Sequence, residues 1–243
     1  MLRGPNEITL GDCMRQRLLR GAGLLGLFAG AVSLDAQPRA AAGVGIDHLI
    51  LGVDDLERGM EEFARRTGVT PIKGGVHPGR GTQNALASLG NGQYVEILAP
   101  SNEAGTMAPP STSHRTLTAV GWALHSNNLA GVVGIVRGAG FMVSEIRAGA
   151  RSRPDGMKLS WETATVGGTG LDAAPFFISW GAATPHPSTE SPTGCRLTSV
   201  ALREPDPAPL HRFLSTVKVV ADVTQGASQM TVVLMCPTGS VKF

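Results

Sequence analysis

The sequence predicts an α+β fold assembled from repeated strand–helix–strand–strand–strand units, and three observations carry that prediction. Two short apolar runs, residues 47–53 and 94–98, alternate in the way a half-buried strand requires. An amphipathic stretch with helical spacing lies between them. The landmarks of this first unit then recur further along the chain.

In the first run His48 and Ile50 share one face, while Leu49, Leu51 and Val53 share the other. In the second, Tyr94, Glu96 and Leu98 oppose Val95 and Ile97. The apolar sets suit a covering helix, which leaves His48 and Glu96 facing a cavity. Leu56, Met60 and Phe63 fall at helical spacing, Asp54 or Asp55 is placed to cap the helix N-terminus, and Gly68 supplies its stop. Residues 71–75, the Gly-rich turn from His77 to Thr82, the segment 83–89 and the turn Gly90-Asn91-Gly92 lead into the strand that carries Glu96.

Aligning residues 53–56 with 126–129 gives an offset of about seventy residues, and the same offset carries Gly68 onto Gly140. Residues 141–146 and 157–165 then read as strands around a polar loop, 147–156, and 176–180 closes the second unit. A third, partial unit is predicted over 194–243, with strands at 197–202, 230–235 and 241–243 and a helix at 207–217.

On these residues the chain resembles a glyoxalase-like member of the vicinal oxygen chelate superfamily. The resemblance is carried by Asp47-His48-Leu49, by His77-Pro78-Gly79-Arg80-Gly81-Thr82 with Asn84-Ala85-Leu86, and by Tyr94-Val95-Glu96. Gly121-Trp122-Ala123-Leu124, Pro175-Phe176-Phe177-Ile178, Trp180 and His186-Pro187 extend it. It implies paired βαβββ modules, about 46–100 and 118–187, forming a curved, half-open barrel within a domain of residues 43–187. It also implies a site for a divalent metal, held by His or Glu from the first and last strands of each module, that chelates adjacent oxygens on a small-molecule ligand.

His48 and Glu96 match the metal positions of the first module, with Glu96 also a candidate general base. An ion pair between them is the structural alternative. The second module departs from the pattern: by the same offset Gly121 stands in place of His48, and residues 177–179 in place of Glu96. His125 shares a strand face with Gly121 about 13 Å further along, so it is expected at the cavity mouth. His77 and His186 lie in loops from which either would supply a third nitrogen; for His77 a turn-stabilising hydrogen bond is the alternative. Arg80, between two glycines, is placed to pair with a carboxylate or phosphate, or to be a solvated turn residue. Asn84 and Trp180 are expected to line the ligand cavity.

The functions in view are therefore a lyase, isomerase or dioxygenase acting on adjacent oxygens, or a metal-free protein that sequesters a small molecule; a scaffold used only for interactions is the third. A net charge of +2 and sparse aromatics, 5% of the chain, give no reason to expect nucleic acid. A nucleotide cofactor is not expected, since the Gly-rich turn lacks the Gly-Lys-Ser or Gly-Lys-Thr ending of a phosphate loop. A homodimer is compatible with the sequence. Arginines 15, 17 and 20, then an uncharged run over 21–34 and small residues to position 42, have the order of an export signal; residues 1–42 are read as that signal or as a disordered tail. Export to the periplasm or beyond is thus expected, with a cytoplasmic location the alternative, and no stable membrane span is expected once the signal is cleaved. Cys195 and Cys236 would remain, with two buried thiols favoured over a disulfide.

Overall fold

Alternation and capping set the first unit. β1 (Gly45–Gly52) is followed by α1 (Leu56–Thr67), β2 (Ile72–His77), β3 (Thr82–Gly90) and β4 (Gln93–Pro100) in a computed structural model that describes residues 43–102, 112–153 and 155–243. The proposed export signal and Cys13 lie outside the described residues. The Asp55 side chain accepts the Arg58 N–H at the start of α1, and Gly68 ends it at φ 76°, a left-handed conformation that costs glycine little.

The second unit repeats this plan: β5 (Thr118–His125), α2 (Leu129–Gly138), β6 (Met142–Val143), β7 (Arg147–Ser152), β8 (Lys158–Ala164), β9 (Val166–Gly167) and β10 (Phe176–Trp180). Asn128 caps α2 by accepting the Gly131 N–H, so the cap falls where the repeat placed it. Two expectations fail here. The polar loop at 147–156 begins as a strand, β7, paired along its length with β8, because a ladder forms from backbone groups whatever side chains an edge strand carries. The strand expected over 141–146 shrinks to Met142–Val143, paired with β9 in a small separate sheet.

Eight strands form one curved sheet in the order β2-β3-β4-β1-β5-β10-β8-β7. β1 lies near its middle, parallel to β4 and antiparallel to β5, which puts the strands bearing His48 and Glu96 side by side. The two edges approach each other: the Arg151 guanidinium of β7 donates to the Gly74 carbonyl of β2, and a Cβ added at Gly75 would lie 2.7 Å from the Ser152 carbonyl. The sheet is thus a nearly closed barrel, and its outer face packs Leu49, Leu51, Val95 and Ile97 against α1 through Leu56 and Phe63.

A short helix, α3 (Pro187–Glu190), leads to the third unit: β11 (Arg196–Glu204), α4 (Ala208–Val217), β12 (Asp222–Gln225), β13 (Gln229–Cys236) and β14 (Gly239–Lys242). Its four-stranded sheet has the order β12-β11-β13-β14, with β12 an addition to the sequence reading. Leu210 and Phe213 of α4 are fully buried in the same core, where Phe213 meets Phe141 and Phe177 at ring-centroid distances of 5.6 and 6.0 Å. Cys195 and Cys236 form a disulfide, which overturns the expectation of two thiols. Among the described residues no helix is long and apolar enough to cross a membrane.

Candidate active site

The concave face of the barrel encloses a cavity of about 370 Å³ lined by every second residue of its strands. β1 contributes His48 and Ile50, β4 contributes Tyr94, Glu96 and Leu98, and β3 contributes Thr82 and Asn84. Opposite stand Trp161 and Thr163 of β8 with Phe176, Ile178 and Trp180 of β10. His77, Arg80 and Arg151 complete the wall. Of the sequence candidates, the structure thus brings together His48, His77, Arg80, Asn84, Glu96 and Trp180.

Glu96 is the centre of the polar half. Its Oε2 lies 3.6 Å from Nε2 of His48 and its Oε1 lies 3.6 Å from Nε2 of His77, while the Asn84 amide donates to Oε1 at 2.6 Å. Burial would raise the Glu96 pKa, but the imidazoles of His77 and His48, the Asn84 N–H and Arg151 outweigh it and hold the group below its ordinary value. Glu96 is therefore ionised at neutral pH. Asn84 also donates to His77 Nε2 at 3.3 Å, which leaves His77 Nδ1 to donate to Thr82 Oγ1 at 2.9 Å. Burial lowers the His77 pKa against the pull of Glu96.

The sequence reading missed Asp47. It faces the same side as His48 because β1 carries a bulge there: Ile46 pairs with Leu124 and His48 with the very next residue, Ala123, so Asp47 is an extra residue in the ladder. Its carboxylate is fully buried and accepts from His48 Nδ1 at 2.7 Å, Trp180 Nε1 at 3.1 Å and His186 Nε2 at 3.2 Å. Burial raises its pKa, but the bonds from His186 and His48 pull it far below the ordinary carboxylate range. An ionised carboxylate only accepts, so Nδ1 of His48 carries a proton and Nε2 is the atom presented to Glu96. Tyr94 stacks on the His48 ring, centroids 4.6 Å apart, and burial raises its pKa well above 10.0, so its phenol stays protonated as a donor.

Two candidates are displaced. His186 does not face Glu96; it is held behind the cavity by Asp47 and by Ser188 Oγ at 2.7 Å, where it caps α3. His125 keeps the strand face expected of it but lies past the end of the cavity, with its ring against Gly45, where an added Cβ would lie 2.9 Å from Cε1. Arg80 is exposed at the rim, on a turn whose glycines, Gly79 and Gly81, have φ of 71° and 66°. Arg151, by contrast, was hidden from the sequence reading by the assignment of its segment to a loop.

The sequence profile of the glyoxalase-like domain family matches residues 46–217. The chain belongs to this family, within the vicinal oxygen chelate superfamily. A search of curated proteins finds no match. Among solved structures the glyoxalase-like chain is similar to a hypothetical protein from Staphylococcus aureus, with 17% identity, 82% of this chain and 84% of that one covered, and a TM-score of 0.59. It also aligns with methylmalonyl-CoA epimerase from Mycobacterium tuberculosis (18% identity, 56% and 86% covered, TM-score 0.40). The Streptomyces coelicolor epimerase in complex with 2-nitronate-propionyl-CoA aligns at 15% identity, 58% and 100% covered, with a TM-score of 0.42.

The divalent metal that the family resemblance implies does not fit the donors of this glyoxalase-like cavity. Gly121 and, by strand register, Phe176 occupy the second-module positions, and neither carries a donor side chain. The lone pair of His77 Nε2 already accepts from Asn84. Among the described residues no group of three or more His, Cys, Asp or Glu side chains is arranged to hold a metal.

Proposed function

We propose that this glyoxalase-like cavity is a proton-transfer site, of lyase or isomerase type, for a small molecule whose proton-bearing carbon adjoins a carbonyl. The observation that carries the reading is Glu96: an ionised carboxylate at the cavity wall, with an imidazole Nε2 at 3.6 Å from each of its oxygens. Glu96 takes the carbon-bound proton as general base. His48 Nε2, just outside hydrogen-bond range of Oε2, is the acceptor that relieves it, and Asp47 stabilises the imidazolium that forms. The Tyr94 phenol donates to the carbonyl oxygen as negative charge develops there.

The test is exchange of carbon-bound protons with deuterated solvent, followed by NMR over a panel of small 2-oxo and 2-hydroxy carbonyl compounds. Exchange with the wild-type protein and its loss in Glu96→Gln supports the reading. Tight binding without exchange supports sequestration instead, which the apolar wall of Trp161, Phe176 and Ile178 favours as the second reading. We also propose that the protein is exported. The signal-like order of residues 15–42 and the Cys195–Cys236 disulfide, a bond that persists in oxidising compartments, support this. The mature chain should then begin near Gln37 or Gly43 and fractionate outside the cytoplasm; an intact N-terminus on cytoplasmic protein overturns it.

A further inference from the structure

We propose that Arg151 is the anchor for a carboxylate on the molecule this cavity binds, so that the substrate class is the small 2-oxo or 2-hydroxy acids rather than their neutral counterparts. The inference rests on the proton-transfer reading for where the chemistry occurs, and on separate observations for the charge. Arg151 is only 4% exposed, on the concave side of β7 and lining the cavity. A guanidinium has five N–H donors in a planar fork. Its one hydrogen-bond acceptor among the described residues is the Gly74 carbonyl, and no carboxylate pairs with it within salt-bridge distance. Arg153, two residues further on, is matched by Glu190 and by Asp155.

Glycines make the room that Arg151 occupies. A Cβ at Gly74 would lie 3.1 Å from one terminal nitrogen and a Cβ at Gly75 3.3 Å from the other, so any larger residue on β2 would crowd the guanidinium. Imidazoles aside, the charged groups lining the cavity are Arg80, Glu96 and Arg151, two positive against one negative. Behind the wall the ionised Asp47 carboxylate evens that count, so the case for an anion rests on the donors of Arg151 that no carboxylate fills and not on an excess of positive charge. Arg80 is exposed at the rim, where solvent screens it, whereas Arg151 is desolvated and pre-ordered by the seam. A carboxylate offers two coplanar oxygens to such a fork, which favours it over a neutral carbonyl group.

The experiment compares short, medium and long straight-chain 2-oxo acids with the matching 2-oxo amides, by solvent-deuterium exchange and by titration calorimetry, on wild type, Arg151→Lys and Arg151→Met. Wild type should favour the acid over its amide by about tenfold or more. Arg151→Met should lose that preference, and Arg151→Lys should keep part of it. Because the acid-to-amide ratio is taken within one variant, a general loosening of the barrel seam cancels. An unchanged ratio in Arg151→Met, an equal loss on acid and amide, or failure of the wild type to bind any of the acids overturns the proposal. If the acids bind through Arg151 but no proton exchanges, the anchor stands and the proton-transfer reading falls.

Discussion

The two walls of the cavity come from the same βαβββ plan, yet one carries the titratable groups and the other is mostly apolar. β1, β3 and β4 present His48, Asn84, Tyr94 and Glu96: Asn84 joins Glu96 to His77, Asp47 holds His48, on which Tyr94 stacks, and the two groups face each other across 3.6 Å between His48 Nε2 and Glu96 Oε2. β8 and β10 present Trp161, Thr163, Phe176, Ile178 and Trp180, of which the Trp180 indole donates to Asp47. A repeated fold therefore fixes where side chains point without fixing what they are. The carboxylates and most of the imidazoles sit in one module, and the other supplies Arg151 and an apolar surface that raises the strength of every charge facing it.

The sharpest way to break this contrast is to remove the base. Glu96→Gln should lower proton exchange by about 10²–10⁴-fold, the usual span for a general base, while Ile178→Ala on the opposite wall should change apparent affinity and leave turnover nearly intact. Equal losses in both would mean that the walls do not divide the labour. Asp47→Ala should cost about 3–5 kcal/mol of stability, the penalty for breaking a buried charged network, and denaturant midpoints of wild type and variant measure it directly.

The same carboxylate sets a pH dependence. The folded-state pKa of Asp47 is depressed below its ordinary 3.8, so its contribution is fully present above that value and is lost as pH falls through the folded pKa. Urea midpoints should consequently decline more steeply below pH 3.8 in wild type than in Asp47→Asn. Parallel declines would remove Asp47 from the account.

A gentler change sharpens the contrast instead. A Cβ at Gly121 would meet only Ile50 Cδ1, at 3.6 Å, so Gly121→His restores a donor to the bare wall opposite His48 and Glu96. That variant should bind zinc at least about tenfold more tightly than wild type by calorimetry, roughly 1.4 kcal/mol; no gain would show that the second wall is not what limits metal binding. His125→Ala should do least, within about 0.5 kcal/mol in stability and without effect on ligand affinity, since the ring lies outside the cavity.

Much of this frame was legible because strand alternation and helix capping are local. The face shared by His48 and Ile50, the Asp55 and Asn128 caps and the adjacency of His48 and Glu96 follow from short-range pattern plus the repeat. The errors have physical sources of the opposite kind. Asp47 was invisible because a bulge breaks period two, and nothing in Asp47-His48 announces the extra residue. Arg151 was invisible because Arg147-Ala148-Gly149-Ala150-Arg151-Ser152 has little strand propensity, and only pairing with β8 makes it one. The disulfide depends on two strand ends meeting across 41 positions of sequence, which no local signal reports.

That cross-link has a consequence for how the chain reaches its native state. Tying together residues 41 apart removes about 4 kcal/mol worth of conformational freedom from the unfolded chain in the loop-entropy account. The closed loop holds β11, α4, β12 and most of β13, so the third unit is the one whose unfolded state is most restricted once oxidised. Chain made where thiols stay reduced would carry the same barrel with a third unit that opens far more often, and proteases would find the protein there first.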